Sequence, residues 1–285
     1  METQPRARIL VTGGAGFIGS HVVDRLITGG YEPVVIDNLS SGKASNVNSQ
    51  AKFYEVDITD QVQLGQVFGQ EKPEMVLHYA AQTSVAFSIE NPSFDARVNI
   101  IGSLNVFEAA RKCGARRIVL ASTGGAIYGE PKTLPCQEDG VLNPLAPYGI
   151  SKMAMEHFSN SYGLHGLDVV TLRLGNVYGP RQDPNGEAGV IAIFSGKMLS
   201  GEDIVVYGQG EQQRDFVYVD DVVEANMKAL FSKGVGVYNI SSGLGVTVKT
   251  IIDKLRNLLN WRGEVNHQPA RAGEVFKIYL SSVKA

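Results

Sequence analysis

The sequence is poor in cysteine: Cys113 and Cys136 are the two in 285 residues. That is too few for a disulfide framework, and they are not spaced as metal ligands. Five histidines (His21, His78, His157, His165, His267) form no His-Glu-x-x-His or similar cluster, so no metal site is expected. Neither sign of charge dominates, since 26 Lys and Arg face 29 Asp and Glu for a net charge of −3. That balance argues against nucleic acid or an anionic membrane as the main partner. No apolar run reaches the ~18 residues of a membrane span. The polar stretch 1–8 does not read as a signal peptide, so a cytoplasmic location is expected. What is present is ordinary for a globular chain, 44% hydrophobic and 19% charged residues, which excludes disorder and fibrous repeats. The length suits one large α/β domain, or a domain with a smaller lobe.

Glycine is the one excess, 32 residues or about 11% against a usual ~7%. Without repeats, that points to tight backbone turns, often around a ligand. Apolar segments alternate as strand and helix. Strands are expected at 9–11, 33–36, 52–58, 75–81, 117–122 and 169–174, with helices at 17–28, 93–112 and 146–165. Continuous β-branched runs suit a parallel sheet covered on both faces. The fold class is therefore α/β, a Rossmann-type doubly wound sheet with right-handed crossovers. After residue 176 the texture changes. Short strands at 204–207, 216–219 and 237–240 mix with helices at 189–199, 222–231 and 247–259. This predicts a division into 1–175, a nucleotide-binding domain, and 176–285, a smaller mixed lobe interleaved with it. The lobe would lie over the carboxyl ends of the strands, where this architecture binds ligands.

The segment Thr12-Gly-Gly-Ala-Gly-Phe-Ile-Gly19 places Gly13, Gly16 and Gly19 between a strand and a helix. Glycines let the backbone approach a pyrophosphate, and the helix start (Phe17, Ile18) offers free N–H groups and a positive dipole end. Asp37 ends the second strand, where a carboxylate can bind an adenosine ribose and repel the 2′-phosphate of NADP. NAD is favoured over NADP.

Tyr148 and Lys152 stand at i and i+4, on one face of a helix. A nearby cation stabilises a phenolate, so the tyrosine is expected to be acidified and to act as a base near neutral pH. A second pair of the same spacing, Tyr128 and Lys132, spans Pro131 and cannot be helical in the same way. Ser122 and Thr123, at the carboxyl end of the fifth strand, offer a hydroxyl to relay the proton.

These residues carry a resemblance. TGGAGFIGSH at 12–21, DNLSSGK at 37–43, ASTGGAIYGE at 121–130, PYGISK at 147–152 and LRLGNVYGPRQDP at 172–184 resemble the extended short-chain dehydrogenases/reductases. More narrowly, they are similar to the NAD-dependent sugar-nucleotide epimerases of the UDP-glucose 4-epimerase type. The resemblance implies that Tyr148 takes the proton of the sugar 4-hydroxyl while hydride passes to NAD, and that a 4-keto sugar turns over and takes the hydride back. It implies that Lys152 tunes the tyrosine and holds the nicotinamide ribose, with Thr123 assisting and Ser122 as the neighbouring alternative. Asn38, Ser41 and Gly42 fall in its cofactor segment, Asp57 and Ile58 at the adenine, Ala80, Ala81 and Gln82 along the cofactor, and Asn99 behind it. His78 would be structural. Asn176 and Arg214 would meet the diphosphate, Tyr207 and Val190 would lie along the uridine, and Arg271 and Glu274 would meet phosphate and ribose.

Dehydratases and decarboxylases of this type place an acid after the strand-five hydroxyl; here Gly124 and Gly125 follow Thr123. Two departures stand out. Family members continue through a further short helix and strand after the segment that ends here at Ala285. The position that gates the sugar pocket falls near Ile278, which is neither the tyrosine of strict hexose enzymes nor a small residue. The resemblance thus favours a UDP-glucose/UDP-galactose 4-epimerase, with UDP-glucuronate or UDP-N-acetylglucosamine as alternative substrates. A catalytically silent NAD-binding regulator and a net dehydrogenase are the rival classes. The helices at 93–112 and 146–165 carry apolar residues beyond what one sheet face covers, and the family pairs them as a four-helix bundle, so a homodimer is expected.

Overall fold

The computed structural model describes residues 7–185, 189–270 and 275–285. A seven-stranded parallel sheet forms the centre. Its strands are β1 (Arg8–Thr12), β2 (Glu32–Asp37), β3 (Lys52–Glu55), β4 (Met75–His78), β5 (Arg117–Thr123), β6 (Asp168–Leu174) and β11 (Gly236–Ile240). Their order is β11-β6-β5-β4-β1-β2-β3. The direction of winding reverses between β1 and β4, the switch point at which such sheets open a crevice. Smaller strands pair outside it: β7 (Asn176–Tyr178) with β10 (Phe216–Tyr218), β8 (Ile204–Tyr207) with β13 (Val265–Gln268), and β9 (Gln213–Arg214) with β12 (Val246–Thr247).

Alternation along each strand feeds two cores. Ile9 and Val11 of β1, Met75 and Leu77 of β4 and Val119 of β5 face one side. There they meet Val22 and Leu26 of helix α1 (Phe17–Thr28) and, further along the chain, Val222 and Leu230 of α8 (Val219–Phe231). Leu10, Val76, Ile118 and Leu120 face the other side. They pack with Leu64 and Phe68 of α2 (Gln61–Glu71), Val106 and Phe107 of α5 (Ser103–Cys113) and Met155 of α6 (Pro147–Leu164). A third core joins α7 (Val190–Leu199), α9 (Val248–Leu259) and β8 through Phe194, Ile204, Ile252 and Trp261. A fourth, of Ile127, Tyr128, Cys136, Ile278 and Leu280, seals the loop after β5 against the C-terminal segment.

The structure departs from the sequence pattern in three places. The stretch expected as one helix over 93–112 is α4 (Pro92–Ala96), a π-type turn at Arg97–Gly102 and then α5; it follows the short α3 (Val85–Glu90). The wide turn brings Gly102 against Ile58, where a Cβ would come within 2.7 Å of Ile58 Cδ1. The third and fourth strands stop early, at Glu55 and His78. At the former, Asp57 Oδ1 accepts from Thr59 N (2.7 Å), turning the chain away. Finally, 236–240 joins the edge of the large sheet beside β6 and not the small lobe, because α8 buries its apolar face on that sheet and returns the chain there. Among the described residues, no helix is long and apolar enough to cross a membrane.

Candidate active site

At the end of β1 the backbone folds back on itself. Gly13 has φ +71°, and a Cβ there would sit 2.6 Å from Ala80 N. A Cβ on Gly19 would sit 2.2 Å from Gly13 O, so the first turn of α1 rests on the glycine turn with no room for a side chain. Gly16 is the N-cap of α1 and no side chain caps it. The leading N–H groups around Phe17 and Ile18 thus form a backbone donor set at a positive helix end, which fits a diphosphate. Asp37, buried at the end of β2, accepts from Ala15 N (3.0 Å) and Leu39 N (2.9 Å), fixing its carboxylate beside that turn. Gly42 presses on it, 2.9 Å from a would-be Cβ to Asp37 Oδ1, and the neighbouring Ser41 is exposed.

Asn38 donates to Asp57 Oδ2 (2.8 Å), tying the β2 and β3 loops together. Burial works to raise the Asp57 pKa, but hydrogen bonds from Thr59 and Asn38 outweigh it and leave it below its ordinary value. Ile58 is buried beneath, its carbonyl accepting from Asn105 Nδ2 (3.0 Å). Ala80, Ala81 and Gln82 follow β4, half-buried. Asn99, fully buried in the π-type turn, clamps that loop from both sides: its Oδ1 accepts from Gln82 N (2.9 Å) and its Nδ2 donates to Gln82 O (3.0 Å). His78 bonds through both ring nitrogens, to Thr12 Oγ1 (2.7 Å) and Ser103 Oγ (2.9 Å). Burial, then the charge of Lys152, pushes its pKa down to about 3, so it joins β1 to α5 as a neutral ring.

The two hydroxyls at the end of β5 part company. Ser122 donates to the carboxylate of Glu156, which a bidentate pair with Arg173 also holds (2.8 Å from Arg173 Nη2). Thr123 stands beside the hydroxyl of Tyr148 and favours its ionisation. Lys152, buried one helical turn on, donates to Ala121 O (3.1 Å). Burial pushes the Tyr148 hydroxyl up to about 12; the neighbouring Thr123 hydroxyl pulls the other way and the charge of Asp95 adds to the rise. This corrects the expectation that Lys152 acidifies the tyrosine in the protein alone. The ammonium is turned to a backbone carbonyl, and burial lowers Lys152 itself to about 8.

Asn176 reaches the same edge, its Oδ1 lying 3.4 Å from where a Cβ on Gly125 would stand. Its backbone N–H donates to Asp215 O (2.7 Å). The remaining residues stand on the second lobe. Val190 starts α7, Tyr207 ends β8 and is 37% exposed, and Arg214 lies in β9 with Nη1 on Gln213 O (2.9 Å). Arg271 and Glu274 lie outside the described residues. Several participants went unnoticed in the sequence: Glu156 and Arg173 behind Ser122, and Asp95 beside the Tyr148–Lys152 pair. Glu156 carried a signal, since it stands four residues beyond Lys152 on the same helix. Among the described residues no group of His, Cys, Asp and Glu could hold a metal ion.

A doubly wound sheet with a glycine turn, a fixed carboxylate after β2 and, after β5, a half-buried Tyr148 one turn from a buried Lys152 defines a nucleotide-dependent enzyme of the dehydrogenase/reductase type. The profile of the NAD dependent epimerase/dehydratase family matches residues 9–241. The chain is 46% identical over 278 residues to a putative UDP-glucose 4-epimerase of Methanocaldococcus jannaschii, covering 97% of this chain and 90% of that one. A UDP-glucose 4-epimerase of Thermotoga maritima, solved with UDP-glucose, superimposes with a TM-score of 0.95 at 48% identity, covering 98% of this chain and 91% of its own. One from Thermus thermophilus, solved with NAD, gives 0.94 at 45%, covering 97% and 91%. The chain belongs to the NAD-dependent epimerase/dehydratase family.

Proposed function

We propose that this enzyme is a UDP-sugar 4-epimerase that interconverts UDP-glucose and UDP-galactose. The observation that carries the reading is Thr123, at the end of β5, standing beside the Tyr148 hydroxyl, with Lys152 buried one turn beyond it. NAD bound along the glycine turn would accept the hydride of sugar carbon 4 and return it to the other face of the 4-keto sugar. Tyr148 removes the proton from the 4-hydroxyl and gives it back, and Thr123 carries the hydrogen bond between substrate oxygen and phenol. Lys152 supplies the positive charge that offsets the tyrosinate. Ser122 is engaged by Glu156, which favours Thr123 as the relay.

The cofactor reading assigns the diphosphate to Gly13, Gly16, Phe17, Ile18 and Gly19, the adenosine to Asp37, Asn38, Ser41, Gly42, Asp57 and Ile58, and the nicotinamide side to Ala80, Ala81, Gln82 and Asn99. Asn176, Val190, Tyr207, Arg214, Arg271 and Glu274 form the proposed sugar-nucleotide side. The corresponding division is 1–175 and 176–285, with α8 and β11 of the second part interleaved into the first. Elimination or decarboxylation on this scaffold is disfavoured. A Cβ on Gly124 would lie 2.2 Å from Leu280 Cδ1, so an acid at that position would require the Leu280 side chain to move.

We further propose a homodimer through α5 and α6, whose surroundings expose Phe94 (41%), Ile101 (51%) and Phe158 (43%). Sedimentation at micromolar concentration should give a dimer; a monomer alone would sink this. For the reaction, proton NMR of UDP-glucose with protein and no added NAD should show UDP-galactose rising to a fixed ratio, because the hydride is returned within each turnover. Conversion of UDP-glucuronate or UDP-N-acetylglucosamine in its place would reassign the sugar. NADH accumulating with substrate would replace epimerisation by net dehydrogenation.

A further inference from the structure

Asp95, near the end of α4, is 1% exposed. Its Oδ1 accepts from Gln82 Nε2 (2.7 Å) and Asn99 Nδ2 (3.1 Å). Its Oδ2, equally buried, has no hydrogen-bond partner among the described residues. Asn99 Nδ2 also donates to Ser151 Oγ (3.1 Å), whose hydroxyl donates to Tyr148 O (2.9 Å). A continuous run of hydrogen bonds therefore fixes Asp95 against the turn of α6 that carries Tyr148 and Lys152. A half-satisfied carboxylate is costly inside a protein, and such groups persist where a neighbouring charge needs them.

The other groups facing the pair account for themselves. Glu156 of α6 adds a smaller influence of the same sign on Lys152 than Asp95, and its carboxylate is held by a bidentate pair with Arg173 of β6. His78 of β4 is neutral and bonded through both nitrogens. Thr123 and Ser122 of β5 bring hydroxyls only. Asp95 is left as the carboxylate whose charge no cation at hydrogen-bonding distance cancels.

We infer that Asp95 is a positioning residue of the proposed reaction: its buried carboxylate is the fixed counter-charge of the Tyr148–Lys152 pair. The inference rests on that reading for its catalytic consequence, though not for the electrostatics. A negative charge there holds Lys152 as the ammonium and disfavours the Tyr148 anion, in line with the direction of its influence on both groups. An epimerase base has to return the proton it takes. A tyrosine kept weakly acidic beside a lysine kept charged suits both strokes.

The test is Asp95→Asn in the NAD-loaded enzyme. Removing the charge lowers both ionisations, so both limbs of the pH dependence of kcat should move to lower pH by about one pH unit. NMR of lysine labelled at Cε, with Lys152 assigned through Lys152→Met, should show its titration moving the same way. Asp95→Ser carries the same expectation should the asparagine variant fold poorly, and Asp95→Glu should restore both readouts. A folded, NAD-retaining neutral variant with an unmoved Lys152 titration and unmoved limbs would overturn the inference, leaving Asp95 a packing residue. A Lys152 titration that moves in a protein that epimerises no UDP-sugar supports the counter-charge while removing the proposed reaction.

Discussion

The two ends of the candidate site are built from opposite materials. At the cofactor end, side chains are kept out: Gly13 and Gly19 sit where a Cβ would strike backbone, and the donors are peptide N–H groups at an uncapped helix start. At the reaction end, side chains are buried at high electrostatic cost: Lys152, Glu156, Arg173 and Asp95 are each at most 5% exposed. The first end owes its shape to sterics, with the Asp37 carboxylate held by backbone N–H groups beside the turn. The second owes its shape to paired charges, so it should answer to every change in charge balance. Substitutions that respect volume but not charge ought to separate the two.

The largest such effect is expected at Glu156→Gln. The substitution keeps the shape but leaves the Arg173 guanidinium, 4% exposed at its side chain, facing a neutral amide. Breaking a buried pair from one side costs about 3–5 kcal/mol, read as a lowered denaturation midpoint. A midpoint close to wild type would mean that water reaches Arg173 and that this end is less dry than its burial implies.

Lys152→Met should act in the opposite direction. The folded protein holds Lys152 near pKa 8 against an ordinary 10.5. Below pH 8 both folded and unfolded chains carry the proton and the full burial penalty is felt. Between 8 and 10.5 only the unfolded chain binds it, so stability rises with pH until the penalty is gone. Removing the ammonium should therefore stabilise the ligand-free protein by roughly 1–3 kcal/mol at neutral pH, the lost bond to Ala121 O taking back part of the gain. The advantage should vanish above pH 10.5. Denaturant midpoints measured across that range check it, and a gain independent of pH would be packing alone. Epimerisation should be lost in the same variant, since no charge is left to offset the tyrosinate.

At the cofactor end, Gly19→Ala is the matching probe. Its methyl would meet Gly13 O and the backbone of Gly14, neither of which can swing aside. Overpacking of this kind costs about 1–3 kcal/mol, and here it should appear as NAD lost on gel filtration, with no change in the titration of Lys152. A variant that keeps NAD would show that the turn can open without harm.

Much of this was legible in the sequence because it is local. The strand-glycine-helix order, the carboxylate after β2 and the i, i+4 tyrosine and lysine all lie within short windows. What needed the fold was long-range. β11 joins β6 across some sixty residues of chain, and nothing in 236–240 distinguishes an edge strand of the large sheet from one of a small lobe. Asp95 reads as a surface acid of an amphipathic helix; only the packing of α4 on α6 buries it. The pKa of Tyr148 was misjudged for a related reason. Spacing gives the nearness of a cation but not its direction, and Lys152 points to a carbonyl.

Ser122 and Thr123 draw the comparison to its finest scale. A one-residue slip in a strand reverses the face, and spacing alone cannot detect it. In the register of β5 with β6, Ser122 lies opposite Arg173 and Thr123 opposite Leu174. Ser122 thus shares the face of Ile118 and Leu120, toward α6 and the Glu156–Arg173 pair. Ser122→Ala removes one donor from a carboxylate that keeps its arginine, so about 1 kcal/mol of stability should go while turnover and its pH dependence stay. Thr123→Ala should do the converse, lowering kcat by about tenfold or more with a nearly unchanged midpoint. The outcome that would sink the assignment is the exchange of these two phenotypes. That would place the relay on the face where the structure puts the ion pair, and the division between a structural and a reactive side of one strand end would fall.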